Sequence, residues 1–110
     1  MLSSEGMQNF RLLKSRLLNT WKNDIVILDE KEKPIPVDAF EIQMIIYGSY
    51  RVMLEYETGT FALKIWTGER FEYLDGLTSD KIFYGFDSMI AENIQHNFSV
   101  LDKIMRLLDK

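Results

Sequence analysis

Between Phe40 and Asp75 apolar and polar residues alternate in short runs, and the runs are punctuated by Gly48, Gly59, Gly68 and Gly76. Alternation with period two marks a half-buried strand, and turns at this spacing predict successive antiparallel hairpins, a β-meander. The middle hairpin is the best defined. Glu57-Thr58-Gly59-Thr60 allows a two-residue turn in which Gly59 supplies a positive φ. That turn sets Tyr56 opposite Phe61, Leu54 opposite Leu63 and Val52 opposite Ile65, six apolar residues on one face. The other face then carries Arg51, Met53, Glu55 and Glu57 against Trp66, Lys64, Ala62 and Thr60.

The flanking hairpins are less clean. Phe40, Ile42, Met44 and Ile46 join the Val52/Leu54/Tyr56 face only if the loop around Gly48 has an odd count. At Trp66-Thr67-Gly68-Glu69 a two-residue turn would mix the faces, so a three-residue loop or bulge is preferred, pairing Ile65 with Phe71 and Leu63 with Tyr73.

Outside the meander the period changes. Met7, Phe10, Leu13, Leu17 and Trp21 recur at three and four residues, which predicts an amphipathic helix over residues 5–22 with Ser3 or Ser4 as N-cap. Asn23-Asp24 can end it. Ile25 to Leu28 reads as a short buried strand, and Asp29 to Pro34 as a charged loop that Pro34 and Pro36 keep extended. Lys81 to Tyr84 is a candidate last edge strand. Ile90, Ile94, Leu101, Ile104 and Leu108, with Phe98 and Met105 beside them, predict one C-terminal helix of about 22 residues. Asp87 or Ser88 would cap it, and a kink before Ser99 stays open. The expected fold is therefore a single α+β domain over residues 1–110. An N-terminal helix, a meander of about five strands and a long C-terminal helix packed on the sheet make it up.

Composition narrows the classes. With 46% hydrophobic and 27% charged residues the chain is an ordinary globular one. It contains no cysteine, which excludes disulfides and thiolate metal sites and fits a reducing cytoplasm. The N-terminal MLSSEGMQNF has no basic region followed by an apolar core, so no signal peptide is expected, and no apolar run approaches a membrane span. The net charge of −4 is uneven: residues 1–24 carry +2, residues 25–86 carry −5 and residues 87–110 carry −1. Acid gathered on the sheet and its loops opposes nucleic-acid phosphates and favours a basic partner.

Chemistry is sparse. His96 is the only histidine, the glycines sit singly at turns, and the carboxylate pairs Glu55/Glu57 and Glu69/Glu72 have no neighbour that would tune them for acid–base work. No catalytic residue, cofactor or metal site is expected. The remaining signal is aromatic. Trp66 falls on the strand face away from Leu54 and Leu63, beside Met53 and Glu55, unless the first helix covers that face and buries it. With Glu55, Glu57, Glu69, Glu72 and Asp75 around it, Trp66 is the candidate centre of a partner-binding surface.

The stretch Leu63-Lys64-Ile65-Trp66-Thr67-Gly68-Glu69, then Leu74-Asp75-Gly76-Leu77-Thr78, then Phe86-Asp87-Ser88 opening a helix, resembles the TriTu-type group of small immunity proteins in bacterial polymorphic toxin systems. The resemblance spans residues 50–90. It implies a cognate toxin domain, neutralised by direct contact. It implies no catalytic residue. A monomer or homodimer in the cytoplasm is expected. A secretion-chaperone-like or adaptor dimer is a second class, and a small enzyme or ligand carrier with a cavity under the sheet a third.

Overall fold

The computed structural model describes residues 2–33 and 38–108, so the expected path through Pro34 and Pro36 lies outside the described residues. The order is α1 (Ser4–Trp21), a 3₁₀ turn (Lys22–Asp24), β1 (Ile25–Glu32), β2 (Ala39–Ile46), β3 (Tyr50–Glu57), β4 (Thr60–Trp66) and β5 (Phe71–Tyr73). Two further 3₁₀ turns (Leu74–Gly76 and Gly85–Met89) lead to α2 (Ala91–Leu108). The five strands lie side by side in chain order, each antiparallel to the last, which is the α+β meander the alternation predicts.

Ser3 caps α1, its hydroxyl accepting the Gly6 N–H at 3.1 Å. The β3–β4 turn has φ 42° at Thr58 and 83° at Gly59, the double positive φ of a type I′ turn, whose twist matches that of the strands it joins. Tyr56 therefore pairs with Phe61, Leu54 with Leu63 and Val52 with Ile65, as expected. Ile46 pairs with Tyr50, leaving a three-residue loop, and this odd count brings Phe40, Ile42 and Met44 opposite Tyr56, Leu54 and Val52.

Both helices cover that one face. Leu13, Leu17 and Trp21 of α1 and Ile94, Phe98, Leu101 and Ile104 of α2 form a single core with the inward residues of β2, β3 and β4. Phe10 meets Phe40 edge-on at 5.1 Å, and Phe98 lies 5.4 Å from Trp21 and 6.1 Å from Phe61. Among the described residues no helix lies on the opposite face of the sheet.

Four expectations are corrected. The β4–β5 loop has four residues, not three: Trp66 pairs with Phe71, Ile65 with Glu72 and Lys64 with Tyr73. Phe71 and Tyr73 therefore join the open face, and Glu72, facing the helix side at the sheet edge, pairs with Arg70. The run Ile25 to Leu28 is not a buried strand. It begins an eight-residue edge strand that also takes in Asp29 to Glu32, and only Ile25 is buried, because alternate side chains emerge on the uncovered face. Residues 81–84 form no strand. They run irregularly along α2, which supplies the hydrogen bonds that a sheet edge would have supplied. Finally, α2 has 18 residues and starts at Ala91. Asp87 and Ser88 lie in the preceding 3₁₀ turn, where the buried Ser88 hydroxyl bonds the Phe61 N–H of β4 at 3.1 Å and the Gly85 carbonyl at 2.7 Å. That turn closes off the lower edge of β4 beyond the short β5. Ile90 and Leu108, expected in the helix stripe, are half exposed at its two ends.

Candidate functional site

The open sheet face is built row by row from the strand registers. Val26, Ile45 and Arg51 stand side by side across β1, β2 and β3. The Arg51 guanidinium lies 5.8 Å over the Trp66 ring and 5.9 Å from that of Phe71, and the two rings meet edge-on at 5.3 Å. The next row holds Gln43, Met53, Lys64 and Tyr73, with Leu28 in a bulge that sets two β1 residues against Gln43. A third row runs Lys31, Glu41, Glu55 and Ala62.

In the first two rows the apolar residues Val26, Leu28, Tyr73 and Trp66 are 58%, 49%, 44% and 37% exposed, beside Arg51, Gln43 and Lys64. The indole of Trp66 is half covered by Arg51 and Phe71, which holds it in place on the strand.

The acids expected around Trp66 are dispersed. Glu55 shares its face, but Lys64 neutralises it at 3.2 Å and the Tyr73 hydroxyl donates to it at 3.0 Å. This pairing relieves the like charge of Glu41, which stands directly opposite Glu55. Glu69 is exposed in the β4–β5 loop at the Trp66 end. Glu57, opposite Thr60, is at the far end of β3, about 20 Å along the strands from Trp66. Glu72 faces the other side. Asp75 follows β5 and meets the Tyr84 hydroxyl. Arg51, Lys64 and Lys31 balance Glu41, Glu55 and Asp29 on the face itself, so its acidic excess lies at the rim, in Glu57, Glu69 and Asp75.

His96 sits on α2, its Nε2 2.7 Å from the Lys81 carbonyl oxygen and its ring edge-on to Phe83. It fastens the 81–84 segment to the helix. Asn97, which the sequence marks only as a point in a helix, is buried and does more: its amide accepts from the Phe83 N–H and donates to the Phe83 carbonyl, both at 3.0 Å. A polar residue in the middle of an apolar helix stripe was the signal for it. Among the described residues no group of three or more His, Cys, Asp or Glu side chains is placed to hold a metal ion, and no helix is long and apolar enough to cross a membrane. Comparison with protein-family models, with curated proteins and with solved structures finds no match for this chain.

Proposed function

We propose that the chain is a non-catalytic protein-binding module, an immunity protein that neutralises a cognate bacterial toxin in the cytoplasm by direct contact through the open face of its sheet. The observation that carries this reading is the placement of both helices on one side of the sheet. The other side is left to display Trp66, Phe71, Tyr73, Met53, Leu28 and Val26, interleaved with Arg51, Gln43 and Lys64. Trp66 has the features of a binding anchor: a large side chain, preorganised by Arg51 and Phe71, with a polar rim around it. Glu69 near Trp66, with Glu57 and Asp75 farther along the edges of the face, favours a partner with a basic surface. The sequence likeness to TriTu-type immunity proteins over residues 50–90 supports the same partner class.

The balance of positive and negative side chains on the face also suits a second copy of the chain, as the adaptor or chaperone-like dimer requires. Co-expression with the product of the adjacent gene separates the two. An immunity protein protects cells from that product and co-purifies with it, and a folded Trp66→Glu variant does neither. A chain that is a stable dimer by sedimentation, loses the dimer on Trp66→Glu and gives no protection is the adaptor instead.

A further inference from the structure

Below the Trp66 patch the open face is cut by a cavity of about 290 Å³. Ala62 forms its floor. Tyr73 and Tyr84 stand as its aromatic walls, and Glu55, Glu57 and Lys33 border it. A second cavity of about 280 Å³ continues it past Asp75 and shares Ala62 and both tyrosines. One wall already displays a recognition chemistry. The Lys64 ammonium lies 4.7 Å over the Tyr73 ring and 3.2 Å from Glu55, an aromatic face and a carboxylate gripping one cation. At the other wall Tyr84 meets Asp75 on the side of the second cavity and faces Glu57 across the first, and among the described residues no cation–ring contact involves Tyr84.

We infer that this groove is a subsite for a basic side chain of the bound partner, an arginine whose guanidinium stacks on Tyr84 and pairs with Asp75 and Glu57. Arginine fits better than lysine, because a planar, weakly hydrated cation can lie flat on a tyrosine and still reach two carboxylates in its plane. Burial, and then Asp75, push the Tyr84 hydroxyl up to about 12. Alanine at position 62 leaves the space open, where the neighbouring outward residues of β4, Lys64 and Trp66, would fill it. Lys33 lines the same cavity as Glu57. Ala62 and Trp66 are four residues apart on β4, so the partner presents an apolar anchor and an arginine about 13 Å apart. The inference rests on the reading of the chain as a protein-binding module and makes its partner's surface specific.

The test uses the whole chain and a defined probe, Nα-acetyl-arginine N-methylamide, with the uncharged citrulline analogue as control, followed by backbone amide chemical shifts. Saturable shifts centred on Ala62, Tyr73 and Tyr84 are expected, with the citrulline analogue at least about fivefold weaker. They vanish in Ala62→Leu, which fills the groove, and weaken in Asp75→Asn. Tyr84→Ser, on a segment outside the sheet, gives the same test should Ala62→Leu not fold. No shifts, shifts spread over every exposed carboxylate, or shifts undiminished in the folded variants overturn the subsite. If the adjacent gene's product binds through Trp66 but is indifferent to Ala62→Leu, the subsite falls and the functional reading stands. If that product does not bind at all, the functional reading falls and the arginine titration stands alone.

Discussion

Asp102, in the middle of α2, accepts the indole N–H of Trp21, the last residue of α1, at 3.0 Å. The same carboxylate takes the Tyr47 hydroxyl, from the β2–β3 loop, and the Arg106 guanidinium at 2.8 Å. One side chain thus ties both helices to the end of the sheet. Burial alone would raise the Asp102 carboxyl, but hydrogen bonds from Tyr47, Arg106 and Trp21 outweigh it and hold the group below its ordinary 3.8.

A carboxylate depressed in the folded state contributes stability that is fully present above its unfolded pKa and is lost as pH falls through the folded one. The Asp102 contribution is therefore intact above about pH 5 and fades below about pH 4. Asp102→Asn should lower stability at pH 7, and the deficit should shrink as the wild type is acidified. Urea midpoints at pH 7 and pH 3 check this, and a deficit of equal size at both would contradict it.

The two tryptophans should behave oppositely. Trp21 is buried between the helices, and Trp21→Ala should cost about 3–5 kcal/mol. Trp66 lies on the open face, and Trp66→Ala should cost only about 1 kcal/mol, the loss of its Phe71 contact. Equilibrium denaturation of both variants measures the contrast. A Trp66→Ala protein as unstable as Trp21→Ala would place Trp66 in the core.

Leu63 fixes the register of the central hairpin. It is buried opposite Leu54, and Leu63→Ala should cost about 2–5 kcal/mol by urea unfolding. A cost below about 1 kcal/mol, typical of an exposed site, would refute that placement.

Asn97→Ala should free the irregular segment before α2. Its amide replaces a strand partner for Phe83, so the variant should lose about 1–3 kcal/mol. Hydrogen exchange at the Phe83 amide should accelerate well before that of β3 and β4. Unchanged exchange at Phe83 would show that the segment is held by something else.

The central hairpins were legible because each level agreed. Gly59 supplies one of the two positive φ angles of the turn, and the turn count puts Val52, Leu54, Tyr56, Phe61, Leu63 and Ile65 on one face. The β4–β5 register was not legible, because three residues of β5 are too few for alternation to vote, and the pattern rule then favoured the wrong count. The apolar run Ile25 to Leu28 misled for a different reason. Val26 and Leu28 lie on the uncovered side of an edge strand, so an apolar run there does not mark burial. Residues 81–90 escaped because their order depends on Asn97 and Ser88, long-range side-chain bonds that leave no local periodicity. The hairpin put Trp66 on the strand face away from Leu54 and Leu63, but it did not say whether α1 would cover that face. The neutralisation of Glu55 by Lys64 and the dispersal of the other acids were not, since those depend on the β5 register.

Binding kinetics of the adjacent gene's product, measured at two ionic strengths, test the central claim most directly. The account predicts that Trp66→Ala weakens binding by about 2 kcal/mol or more, mainly through faster dissociation. It also predicts that Glu57→Lys with Glu69→Lys slows association at low salt, with the difference screened at high salt. Folded variants that bind at wild-type rates under both conditions would contradict it and remove the open sheet face as the interface.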